Sequence, residues 1–143
     1  GGVTMKYSDK LRDPQWQKKR LEILERDDWE CKKCYDNKST LHVHHRRYIP
    51  GRQPWDYDNN IFITLCENCH EEEKISRPER EFDLLEILKE KFLSDDLCVL
   101  ANGFLNLKLR HIPNVVASAI KWSLENDDIQ QELIERYFKS LKV

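Results

Sequence analysis

Leu41-His42-Val43-His44-His45 lies between two cysteine pairs, Cys31-Lys32-Lys33-Cys34 and Cys66-Glu67-Asn68-Cys69-His70, and the reading of the chain turns on this stretch. Two residues between paired cysteines let one tight turn present both sulfurs to the same ion. Two such pairs in one short segment therefore read as a tetrahedral thiolate zinc site formed by Cys31, Cys34, Cys66 and Cys69. Four thiolates leave no position for water, so the expected role is structural. One ion holding both pairs would also draw the segment carrying His44 and His45 towards the one carrying His70. Neutral imidazole is both a metal ligand and a proton acceptor near pH 7, so gathering three of them is a chemical statement.

Outward from this stretch, Asp13-Pro14 has the form of a helix start, a capping side chain followed by Pro in the first turn. The run to Arg26 puts Trp16, Ile23 and Leu24 on one face, and Asp27-Asp28 ends it. Leu41 to His44 alternates apolar and polar as a short strand does. Ile61-Phe62-Ile63-Thr64-Leu65 is β-branched and apolar, which predicts a second. Between them, 48–60 is a Pro-, Gly-, Asp- and Asn-rich loop whose Trp55 and Tyr57 are expected to pack it. Residues 69–75 predict a short helix holding His70, and Ser76-x-x-Glu79 predicts a new helix to about Leu93, ended by Asp95-Asp96. Leu97 to Leu109 fits either a hairpin at Asn102-Gly103 or a helical turn. Pro113 opens another helix, and Asp127 or Asp128 caps a last one. The fold class expected is α+β, with residues 5–77 as one domain and residues 78–143 as a helical extension whose apolar stripes are core. Trp16, Trp29, Trp122 and the leftover Cys98 are also expected to be buried.

The chain has 143 residues, 39% of them hydrophobic and 35% charged, which excludes collagen-like, low-complexity and wholly disordered classes. No apolar run is long enough to span a membrane. Gly1 to Thr4 reads as a cloning remnant ahead of Met5. The start lacks the apolar core of a secretory signal, so a reducing compartment, cytoplasmic or nucleoid-associated, and unbridged cysteines are expected. A net charge of −2 makes the chain as a whole no generic polyanion binder. Locally it differs: Asn37 to Trp55 holds no acid but has Lys38, Arg46, Arg47 and Arg52, and Lys18-Lys19-Arg20 is a second basic run. Either could meet phosphate.

Residues from about 7 to 75 resemble the HNH endonucleases, a family with a ββα-metal core and, in many members, an embedded four-cysteine zinc site. The resemblance is carried by Cys31-Lys-Lys-Cys34, Leu41-His-Val-His44-His45, Asn59-Asn60 and Thr64-Leu-Cys66-Glu-Asn-Cys69-His70, with the Trp16 and Arg20 helix as lead-in. It covers about half the chain. It implies His45 as general base, His44 and His70 as ligands of a catalytic divalent metal, and a middle asparagine that orients the base. Asn60 is the favoured candidate for that asparagine and Asn59 the alternative, because the spacing to Leu65-Cys66 is one residue longer than the common form. The implied reaction is hydrolysis of DNA phosphodiester bonds to 5′-phosphate and 3′-hydroxyl ends. Imidazole ligands suit Mn²⁺, Ni²⁺, Co²⁺ or Zn²⁺ better than Mg²⁺. Under this reading Arg46, Arg47 and Arg52 meet the DNA backbone, and His42 is a supporting histidine.

Adjacent strand residues point to opposite faces, so His44 and His45 can serve one phosphate only if the strand ends or bulges there. The competing reading is a noncatalytic zinc module that binds nucleic acid or protein; it leaves the histidines without a joint role. For residues 78–143, a homodimer or a protein partner is an expectation alongside packing within the chain. His111 reads as surface.

Overall fold

Asp13 starts its helix as the sequence predicts. In the computed structural model, which describes residues 5–108 and 113–141, one turn of helix, α1 (Tyr7–Lys10), precedes α2 (Pro14–Arg26). The Asp13 carboxylate accepts the Gln15 N–H at 2.8 Å, supplying a partner for an amide that has none inside the helix. α2 turns Trp16, Ile23 and Leu24 inward. Two strands follow, β1 (Leu41–His45) and β2 (Phe62–Cys66), paired antiparallel with Val43 opposite Thr64 and His45 opposite Phe62. A short 3-10 turn at Asn59–Ile61 leads into β2. Then come α3 (Glu67–Lys91), α4 (Ser94–Leu105), α5 (Pro113–Glu125) and α6 (Asp127–Leu141). The class is α+β, mostly helical with a small two-stranded antiparallel sheet, and no described helix is long and apolar enough to cross a membrane.

The chain divides into two compact units, Gly1–Ile87 and Leu88–Val143. In the first, Trp16, Ile23, Leu24, Val43, Tyr57 and Phe62 form one apolar cluster, with Trp55 packed against it. Cys31, Leu65, Cys66 and Cys69 form a second. Fully burying Ile23, Leu24 or Phe62 contributes about 1.5–3 kcal/mol each.

A polar hub joins these pieces. Asp27, buried at the end of α2, accepts two bonds from Arg26, Nε to Oδ1 at 2.8 Å and Nη2 to Oδ2 at 2.9 Å. Its Oδ2 also accepts the Thr64 N–H of β2 at 2.9 Å. Arg26 goes on to donate to the carbonyls of Phe62 (2.9 Å) and Asn59 (2.6 Å). One residue pair thus fixes the helix end, the central β2 residue and the turn before it. Burial works against the Asp27 charge, but Arg26 and the Thr64 N–H outweigh it and hold the carboxyl below its usual range.

Several expectations need correction. The break predicted at Ser76 is absent, because α3 runs unbroken through Pro78. Pro78 removes one helical hydrogen bond, but Arg77 spans it, pairing with Glu73 at 3.1 Å and Glu81 at 3.4 Å one turn either side. Asn102-Gly103 makes no hairpin. Asp96 accepts the Leu93 N–H at 3.0 Å and opens α4, so the acid pair begins a helix rather than only ending one. The stripes of α4, α5 and α6 are not core, since none of these helices has a buried residue. Trp29 (50% exposed) and Trp122 (56%) are also outside the core, and Cys98 is exposed. His111 and residues 1–4 lie outside the described residues.

Replacing Asp27 with Asn strands the Arg26 charge and weakens the bond to Thr64. The expected loss is about 2–4 kcal/mol at pH 7, read by urea denaturation. Because the folded carboxyl titrates below its unfolded value, its contribution is complete above the unfolded pKa and disappears as pH falls through the folded one. The variant should therefore show a flatter acid limb than the wild type. Equal stability of the two proteins at pH 7 would contradict this role.

Candidate functional site

The first cysteine pair sits on a knuckle bound to β2. Cys31 N–H donates to the Asp36 carbonyl at 2.8 Å, Tyr35 N–H to the Cys31 carbonyl at 2.8 Å, and Lys32 N–H to the Thr64 carbonyl at 2.9 Å. Asp36 also accepts from the Lys38 and Ser39 amides. Asp28, Trp29 and Tyr35 take positive φ values of 57°, 55° and 64° to make the turns. The second pair joins the end of β2 to the first turn of α3. All four sulfurs lie within 4.8 Å of one another, with Cys34 Sγ and Cys66 Sγ 3.7 Å apart. Zn–S bonds of about 2.3 Å in a tetrahedron place sulfurs roughly 3.8 Å apart, whereas a disulfide needs about 2.05 Å. The four cysteines are free, and their spacing and donor type fit a zinc-like ion. Burial opposes ionisation of Cys31, but the Cys66, Cys34 and Lys33 amides outweigh it and bring the thiol down to about 6; burial pushes Cys69 up. Sequence reading expected this cluster, and the structure brings all four residues together.

The histidines fall in two environments. His42 and His44 project from one face of β1, Val43 and His45 from the other. His70, in the first turn of α3, meets the first face. Its ring stands edge-on to His44, with centroids 5.3 Å apart at 76°, and stacks on His42 at 4.8 Å and 8°. Two imidazoles sharing one cation at about 2.1 Å per bond have centroids roughly 5 Å apart, so His44 and His70 have the spacing of a ligand pair. His42 does not complete the set: its plane is nearly parallel to that of His70, and in-plane lone pairs of parallel rings do not converge. It supports His70 by stacking. Burial lowers the pKa of His44 and His70; next come His70 for His44 and His42 for His70. Rings held neutral in this way keep their lone pairs available.

His45 is only 4% exposed. Its ring lies between Trp16 (5.2 Å, 16°) and Tyr48 (4.9 Å, 25°), with Phe62 and Tyr57 edge-on. Its Nε2 lies 2.7 Å from the Pro54 carbonyl. A carbonyl only accepts, so Nε2 carries the hydrogen and Nδ1 is the basic nitrogen. Burial lowers the His45 pKa, partly offset by Pro54.

The two environments meet in one cleft of about 340 Å³, lined by His42, His44, His45 and His70 together with Arg20 and Tyr48 among others. Within the described residues β1 pairs only with β2. The cleft is lined by residues from both faces of β1, and β1 ends at His45.

The asparagines separate clearly. Asn59 donates to Glu22 at 2.6 Å and accepts from Lys19 at 2.9 Å, bracing the loop on α2, while Asn60 is exposed. Arg46, Arg47 and Arg52 are exposed. Arg52 lies over the Tyr57 ring at 5.8 Å and is outside the residues lining the cleft, as are Arg46 and Arg47. Arg20, read as part of a basic run and of the lead-in helix, lines the cleft and donates to the Leu41 carbonyl at 3.4 Å. Tyr48 and the Arg26–Asp27 hub carry no signal in spacing or periodicity, because their roles depend on contacts between remote segments.

The purified chain is expected to carry one zinc per molecule by elemental analysis. Cys66→Ser should lower zinc affinity at least tenfold, and chelation should reduce the thermal stability of the wild type. A protein that folds equally well without metal would contradict a structural site. No protein-family model, curated protein or solved structure gives a significant match to this chain.

Proposed function

We propose that the chain is a metal-dependent endonuclease of the HNH type that hydrolyses DNA phosphodiester bonds. The observation carrying this reading is the convergence of His44, His45 and His70 on one cleft beside a four-cysteine metal centre. Hydrolysis of a phosphodiester needs a proton acceptor for water, positive charge beside phosphorus and help for the departing oxygen. In this reading His45 takes the proton from water at Nδ1, the nitrogen left basic by the Pro54 carbonyl. The water oxygen bonds to phosphorus while the P–O3′ bond breaks. The 3′ oxygen leaves and acquires a proton from solvent, giving 5′-phosphate and 3′-hydroxyl ends. His44 and His70 would hold the divalent cation, Mg²⁺, Mn²⁺, Ni²⁺, Co²⁺ or Zn²⁺. When bound, it supplies fixed positive charge where negative charge grows in the transition state.

The aromatic walls of Trp16 and Tyr48 hold the His45 plane, and His42 holds that of His70. Asn59, through Lys19 and Glu22, restrains the loop that delivers the Pro54 carbonyl; Asn60 is the other candidate for the orienting asparagine. Arg20 is within the cleft to meet phosphate. Arg46, Arg47 and Arg52 outside it would track the backbone further along, a sequence-independent contribution that salt weakens.

The alternative is a noncatalytic zinc module that binds nucleic acid or protein. It accounts for the cysteines and basic residues but gives His44, His45 and His70 no shared task.

A supercoiled-plasmid assay with Mn²⁺ separates the two. Wild type should nick or cut, and His45→Ala should slow this by about 10²–10⁴-fold with zinc content unchanged. His44→Ala should reduce activity and raise the Mn²⁺ concentration needed. Wild type that is inert across all five metals yet retards DNA would overturn the nuclease and favour the binding module.

A further inference from the structure

Helix α6 carries an apolar face that the chain leaves in solvent. Leu133, Ile134, Tyr137, Phe138 and Leu141 are each at least 50% exposed. At 100° per residue they fall within one arc of the helix, between flanks carrying Glu132 and Arg136 on one side and Glu135 and Lys139 on the other. α5 packs against α6, yet it too leaves Val115 (48%), Trp122 (56%) and Leu124 (67%) exposed. The five α6 side chains present on the order of 500 Å² of apolar surface, so two copies laid face to face bury about the 1,000 Å² that a specific interface needs.

The charge pattern indicates what covers it. α6 is acidic at its start, with Asp127, Asp128 and Glu132, and net basic towards its end, where Arg136 and Lys139 outnumber Glu135, although Arg136 also pairs with Glu132 of its own helix at 2.6 Å. Laid antiparallel against a second α6, the acidic half of each helix faces the basic half of the other, and the helix dipoles oppose favourably. A parallel arrangement would align like charges. Residues 88–143 carry as many acidic as basic side chains, so two copies meet without net repulsion. A two-fold axis needs a surface complementary to itself, and this helix has one.

We propose that α6 is a homodimer interface, pairing antiparallel with α6 of a second copy. This does not depend on the cleft being catalytic. If it is, the dimer presents two clefts, which suits cutting both strands of a duplex.

Light scattering on the full chain at about 10–100 μM should give twice the 17.2 kDa chain mass, and Phe138→Glu should weaken dimerisation at least tenfold. If that variant misfolds by circular dichroism, a charge exchange replaces it. A chain with Asp127→Lys and Asp128→Lys, and another with Arg136→Glu and Lys139→Glu, should each dimerise poorly alone and form a heterodimer when mixed. The antiparallel register predicts this rescue. A monomeric wild type, with the face covered by a different protein or by its own chain, overturns the proposal, as does a mixture that fails to pair.

Discussion

Four sulfurs within 4.8 Å of one another bring the knuckle after α2 to the junction of β2 and α3. Cys31 and Cys34 lie on a knuckle whose flanking Asp28, Trp29 and Tyr35 adopt a left-handed backbone conformation that L-residues with side chains enter at a cost. Cys66 and Cys69 join the end of β2 to the start of α3. The sheet has two strands, which is marginal as an independent structure in water. A cation among the sulfurs would convert these weak pieces into one rigid corner. His70 follows Cys69 directly, and His44 stands opposite Ile63 on the neighbouring strand, so the corner fixes the distance between them.

On the far face of β1 the constraint is apolar. His45 is held by stacked rings and by a backbone carbonyl rather than by charges, and burial keeps it neutral. The same strand thus holds one imidazole that packing prepares to accept a proton and another, with His70, spaced as a ligand pair. The Arg26–Asp27 hub serves both faces by tying α2 to β2 and to the turn before it. Both environments line one cleft.

Much of this was legible in the sequence. Cysteine spacing gave the four-sulfur cluster, which could hold a metal, because its geometry is local, two residues between cysteines and one turn. Period-2 alternation gave β1, and Asp13-Pro14 gave the start of α2 for equally local reasons. Contacts between remote segments were not legible. Asn59 rather than Asn60 braces the loop because Lys19 and Glu22 happen to lie one turn apart on the facing helix. Arg20 reads as part of a basic run and a lead-in helix, and its place in the cleft shows only when α2 is set beside β1. The α3 boundary failed for another reason: Ser76 and Pro78 are genuine start signals, but α3 continues through both. Apolar periodicity found the stripes of α5 and α6 correctly, yet periodicity reports which residues share a face and not what covers it.

On the proposed reading, one metal centre organises a second, catalytic one. Anomalous scattering from a crystal of the full chain soaked in Mn²⁺ tests both together. A zinc-edge peak is expected at the centre of Cys31, Cys34, Cys66 and Cys69, and a separate manganese peak beside His44 and His70. Sulfurs with no peak between them, or manganese bound elsewhere while those two rings remain free, would contradict it.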